Sequence, residues 1–232
     1  MKKITPLVVI LFATISCQSL KTLNKNSYNA VPTRFDDIKM EVRGVDGWLP
    51  GRNIKYGNYN ALKIKRAATK GYSLSFFPKI NKNVDLTKKT RFTQIAANGN
   101  KANIYILQEY SKRGIVFDIN EYIEYDNTSV VNDNFSGKII IDDNNIWNFI
   151  INSKTSLAKN LKGDEINIKS TNYGYVFLIN DKEIAGYATG VFKKNWAPLA
   201  NYAWIKSNIN EEKKIILASL ITSLIGRESI DD

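Results

Sequence analysis

From Asn60 onward, apolar and polar residues alternate in short runs separated by Gly, Asn, Asp and Lys. The alternation is visible in Ala61-Leu62-Lys63-Ile64-Lys65, Tyr72-Ser73-Leu74-Ser75-Phe76, Asn103-Ile104-Tyr105-Ile106-Leu107 and Ile115-Val116-Phe117-Asp118-Ile119. It returns in Tyr122-Ile123-Glu124-Tyr125 and Glu165-Ile166-Asn167-Ile168-Lys169. A period of two with one polar face predicts half-buried antiparallel strands. Residues 90–97, 137–141, 146–151, 173–179, 184–189 and 202–206 are further strand candidates. The total is about twelve, at a spacing of roughly 8–12 residues, the pattern of a sandwich or barrel. Turn chemistry agrees. Asn98-Gly99 stands between two apolar runs, the strongest short hairpin signal. Asn180-Asp181 and Asp142-Asp143-Asn144-Asn145 are two more tight turns, since Asn and Asp tolerate the left-handed region.

The C-terminal stretch has a different period. Asn208-Ile209-Asn210-Glu211 reads as the start of a capping box, with Glu211 and Glu212 in a first turn where the helix dipole favours acids. Residues 215–225 then carry no charge on any side, and Gly226 follows as a natural stop. A helix apolar nearly all round has to be enclosed. Eleven residues rise about 16 Å, too short to cross a bilayer and suited to threading a small barrel.

The first residues read as an address. Met1-Lys2-Lys3 is a short basic region, residues 4–15 are nearly all apolar, and Ser16-Cys17 follows. That is the layout of a secretory leader, and the apolar run is shorter than the ~20 residues a membrane span needs. Thr14-Ile15-Ser16-Cys17 resembles the lipobox of bacterial lipoproteins, with Thr14 where Leu is usual. The resemblance implies cleavage before Cys17, a lipid (diacylglycerol and palmitate-type acyl chains) on that residue, and, with Gln18 next rather than Asp, an outer-membrane address. Two or more acyl chains anchor a protein stably. The expected organisation is a signal peptide over 1–16, a lipidated tether over 17–32 and one barrel domain over 33–232.

The body also resembles a family. About twelve antiparallel strands closed around an apolar C-terminal helix describe the tubby-like barrel shared by tubby C-terminal domains and phospholipid scramblases. The residues carrying the likeness are Gly186-Tyr187-Ala188-Thr189, Tyr202-Ala203-Trp204-Ile205-Lys206, Asn210-Glu211-Glu212 and 215–226. The expected fold is therefore mainly β, a closed antiparallel barrel around a buried C-terminal helix. A lipocalin-like barrel is the alternative; its helix packs outside and should be amphipathic, and Gly47-Trp48 is a faint echo of that family's motif.

Charge is unevenly spread. The chain carries +11 overall, with 33 Lys and Arg against 22 Asp and Glu. From Cys17 to Arg113 the net charge is +13, and from Gly114 to Asp232 it is −4. Such asymmetry points to an anionic partner, although single lysines on exposed strands also keep sheet edges from pairing. Lys63, Lys65, Lys70, Lys88, Lys89 and Arg91 are the candidate anionic-surface residues, expected to face outward together. Anionic headgroups attract each nearby Lys or Arg by about 1 kcal/mol. A secreted chain does not meet nucleic acid, so none is expected as partner.

The chemistry inventory is thin. There is no His and a single Cys, which excludes an internal disulfide, a Cys/His zinc site and a Ser-His-Asp triad. Catalysis would rest on carboxylates such as Asp142/Asp143, Asp118/Glu121 and Asp164/Glu165, and adjacent strand residues point to opposite faces. Asp36-Asp37 and 142–145 lack the loop of a calcium site. Ser156-Leu157-Ala158-Lys159 matches a Ser-x-x-Lys pattern without its companion motifs. The expectation is a non-catalytic protein with no metal or cofactor, the alternative being a carboxylate-dependent envelope hydrolase. Trp147 and Trp204 are expected in the core, and Trp48 and Trp196 in loops.

Overall fold

The computed structural model describes residues 38–44, 53–66, 70–72, 79–119, 122–172, 174–192 and 199–227. The leader and tether (1–32), Trp48 and Trp196 lie outside them. The strands are β1 (Met40–Val42), β2 (Ile54–Tyr56), β3 (Tyr59–Arg66), β4 (Lys70–Tyr72), β5 (Lys79–Ala96), β6 (Lys101–Ile119) and β7 (Tyr122–Asp142). They continue with β8 (Asn145–Ile151), β9 (Ser156–Asn160), β10 (Glu165–Thr171), β11 (Gly174–Ile179), β12 (Lys182–Phe192) and β13 (Leu199–Ile205), and the helix α1 (Glu211–Ile225) follows.

All the ladders are antiparallel and form one 13-stranded sheet, in the order β1-β13-β12-β11-β10-β9-β8-β7-β6-β5-β3-β2, with β4 paired to β5 outside that path. The two ends of the path meet. Arg43 and Lys55 exchange backbone hydrogen bonds of 2.8 and 3.0 Å, so one bridge brings the sheet round on itself as a barrel. Next to that bridge Gly44 has φ +83°, and a Cβ there would lie 2.1 Å from the Asn53 carbonyl oxygen. Only glycine permits so close an approach.

α1 threads the barrel. Every residue from 215 to 225 is buried, whichever side of the helix it lies on. Ile54, Ile104, Ile139, Trp147 and Ile166, each with no exposed surface, belong to the same buried cluster as the helix. The helix's serine hydroxyls are satisfied locally: Ser219 donates to the Ile215 carbonyl and Ser223 to the Ser219 carbonyl, both at 2.7 Å. Enclosure on all sides sets aside the lipocalin-like alternative, whose helix lies outside.

The helix ends differ from expectation in detail. Asn210 is the N-cap, accepting from the Lys213 N–H at 2.8 Å, but Lys213 stands where a capping box has Glu or Gln. Gly226 keeps a right-handed φ of −83°, so the helix stops without a left-handed glycine. Just beyond it, Arg227 donates to Tyr175 at 2.6 Å, pairs with Asp133 and lies over the Phe135 ring. This closes the exit of the helix with a part-buried ion pair.

The predicted turns occupy their expected places, with Gly99 at φ +84° and Asn180 and Asp181 both at positive φ. Several strands group differently. The runs at 103–107 and 115–119 are one strand, β6, and those at 122–125 and 137–141 are one strand, β7. The intervening polar residues stay in the ladder, absorbed by bulges between Ser111 and Lys112 and between Arg113 and Ile115. Of the run at 72–76, Tyr72 belongs to β4 and the rest lies outside the described residues. Trp147 is 0% exposed in the main core, whereas Trp204, 1% exposed, is buried with Ala188 in a separate small cluster. Trp204 is accommodated by Gly186 on the neighbouring strand, where a Cβ would sit 2.1 Å from the indole.

Candidate anion-binding groove

The outer wall carries a concavity of about 860 Å³ across β3, β5, β6, β7 and β8. Strand register builds it. Lys65 pairs with Arg91, Arg91 with Tyr105, Tyr105 with Lys138 and Lys138 with Asn148. Side chains directly opposite across a ladder share a face with Cβ atoms about 5 Å apart. A second outward row, one pleat along, runs Lys89, Leu107, Ser136 and Ile150. The alternate residues Ile104, Ile106, Ile139 and Phe149 point inward into the core.

Gly137 on β7 lines the hollow between Ser136 and Lys138. A Cβ on Gly137 would meet the Phe149 ring at 2.4 Å and the Tyr105 carbonyl at 2.6 Å. Glycine therefore lets β7 pack closely against Phe149, and the outward residue beside it, Ser136, is small. Among the described residues, five cations line the groove, Lys65, Arg66, Lys89, Arg91 and Lys138, and no carboxylate does. Among the described residues, Lys65, Lys89, Arg91 and Lys138 make no ion pair. Glu109, the next outward residue on β6 after Leu107, lies outside the lining and accepts from Asn134 at 3.4 Å.

The six candidate cations are not one outward set. Lys65, Lys89 and Arg91 are exposed and line the groove. Lys63 is exposed but outside it, held at φ 56° in the bulge between Leu62 and Lys65. Lys70 pairs through its backbone with Thr87, and its side chain lies outside the described residues. Lys88 corrects the expectation. It precedes Lys89 on the same strand, so the two must face opposite ways; Lys88 is 8% exposed, on the inward side with Thr90, Phe92 and Gln94. Cys17 lies outside the described residues. Sequence reasoning missed Lys138, Tyr105, Leu107 and Ile150. Alternation assigns each of them an outward face, but only the ladder register makes them neighbours of Arg91 and Lys89.

The other candidate chemistry separates. Ser156 and Lys159 fall three apart on β9, hence on opposite faces. Asp142 accepts from the Asn144 N–H at 2.8 Å and Asp164 from the Asn160 side chain at 2.9 Å, so both serve turns. The side chains of Asp118 and Glu121 lie outside the described residues. No helix among the described residues is long and apolar enough to cross a membrane. No family model, characterised protein or solved structure matches the chain.

Proposed function

We propose that the chain is a lipid-anchored envelope protein with a non-catalytic binding role, tethered at the outer membrane through an acylated Cys17 and resting a basic outer face on anionic lipid. The observation that carries this reading is the cross-strand set Lys65, Lys89, Arg91 and Lys138, gathered around one hollow with no carboxylate among the described residues of its lining. The lipobox-like Thr14-Ile15-Ser16-Cys17 supports the anchor. A barrel around an apolar helix supports the tubby-like resemblance. An anchored body meets headgroups at high local concentration, so modest attraction per cation suffices.

The barrel closes within residues 40–225, so a chain starting at Ser19 keeps it. That chain should co-float with vesicles containing phosphatidylglycerol and ignore phosphatidylcholine vesicles. Binding should fall steeply with salt, as the Debye length drops from about 30 Å at 0.01 M to about 8 Å at 0.15 M. Replacing Lys65, Lys89, Arg91 and Lys138 by Ser should abolish it at an unchanged thermal midpoint. Indifference to anionic vesicles at low salt would remove the reading. For the anchor, Cys17→Ala should end incorporation of labelled palmitate in the full chain, and continued labelling would contradict it.

A further inference from the structure

We infer that the groove is a discrete one-to-one site for a single anionic amphiphile, with an alkyl chain along Leu107 and Ile150 and an anionic head between Arg91 and Lys138. This rests on the surface reading above and deepens it, because attraction to a charged surface needs cations but no cavity.

Three observations ask for more than a surface. The hollow, at about 860 Å³, falls within the roughly 300–1,000 Å³ range of small-molecule sites. Its floor is apolar: Leu107 and Ile150 flank Ser136 in one row, and both are only half-buried although they point away from the core. Tyr105 is 51% exposed and stands between Arg91 and Lys138 in the other row. A large aromatic left half in water beside apolar side chains marks a binding surface rather than a core. Charge complements this floor. Arg91 and Lys138 sit on the strands either side of Tyr105, about 10 Å apart at the backbone, so one phosphate or carboxylate over the ring reaches both. The Lys65 and Lys89 stems extend the apolar rim while their ammonium groups stay in water. An anionic amphiphile matches both halves; a free anion leaves the apolar floor in water, and a neutral chain leaves the cations unmatched.

The test uses the chain from Ser19 and monomeric alkyl phosphates, titrated by calorimetry below their micelle-forming concentrations. Dodecyl phosphate should bind saturably at one per chain. Affinity should rise about fourfold per methylene from hexyl phosphate upward, following the transfer free energy of a buried CH₂, and level off once the hollow is full. Inorganic phosphate and dodecyl maltoside should each bind at least tenfold more weakly. Tyr105→Ser and Leu107→Ser, both outward, should each weaken dodecyl phosphate at least tenfold with an unchanged thermal midpoint, while low-salt recruitment to anionic vesicles persists.

Saturable binding that ignores both substitutions, or no saturable binding, overturns the inference. If vesicle recruitment survives that failure, the surface reading stands alone; if recruitment fails too, both fall. If the substitutions instead convert a sedimenting dimer to monomer, the groove belongs to a second copy and the lipid site is wrong.

Discussion

Tyr56 shows how much a single residue can tie together. Its ring is enclosed, its hydroxyl donates to the Ala218 carbonyl at 2.7 Å, and the same oxygen lies 3.1 Å from the Thr222 hydroxyl. Thr222 in turn donates to Gln94 at 2.8 Å, so β2, α1 and β5 share one buried polar contact. Burial drives the Tyr56 hydroxyl far above its ordinary pKa, against a smaller opposing pull from the Thr222 bond. Tyr59 beside it is pushed up to about 12, first by burial and then by the nearby Glu211 carboxylate. Both shifts favour the neutral phenol in the folded chain. Their contribution is complete below the unfolded value near 10 and is lost as pH rises above it. The thermal midpoint should therefore hold flat to about pH 9.5 and fall between pH 10 and 12. Tyr56→Phe should cost about 1–2 kcal/mol at neutral pH through the lost hydrogen bond to the Ala218 carbonyl and should soften the alkaline fall. A midpoint unchanged through pH 12 would contradict the assignment, with scanning calorimetry as the measurement.

At the scale of elements, the helix is the piece with no alternative place. Its buried residues face every direction, so turning it cannot bring a polar side outward. Leu220, 1% exposed, offers a direct probe. Leu220→Asp puts an unpaired carboxylate among apolar strands at a cost of several kcal/mol, and the expected outcome is insoluble or uncooperatively unfolding protein. On an amphipathic helix packed outside a barrel, the same change on the outer face would cost little. Soluble Leu220→Asp protein with an unchanged urea midpoint would mean the helix is not enclosed.

For the whole molecule, closure among the described residues runs through the backbone bridge between Arg43 and Lys55, with Gly44 beside it. Gly44→Ala sets a methyl against the Asn53 carbonyl in a left-handed conformation. It should destabilise the barrel by about 1–3 kcal/mol and speed hydrogen exchange at the Arg43 and Lys55 amides first. Equal slow exchange in the variant would show that the seam does not limit closure. The alternation of residues such as Asn103-Ile104-Tyr105-Ile106 was enough to define half-buried strands, and Asn98-Gly99 and Asn180-Asp181 enough to place tight turns, because both signals act within a few residues. The apolar circumference of 215–225 likewise demanded enclosure before any contact was known. The groove was not legible in this way. A period of two assigns each residue a face, which already forbade Lys88 and Lys89 from sharing one, but it names no partner across the ladder. Lys138 belongs to the acidic part of the chain, and only register brings it beside Tyr105 and within reach of Arg91. Register depends on bulges and on ladder pairings such as Arg91 with Tyr105 and Tyr105 with Lys138, which join residues well separated in the chain. The sequence by itself determined the strands, the turns and the need to bury the helix; the tertiary structure alone decided which cations surround a hollow, because that depends on how strands align and not on which residues they contain.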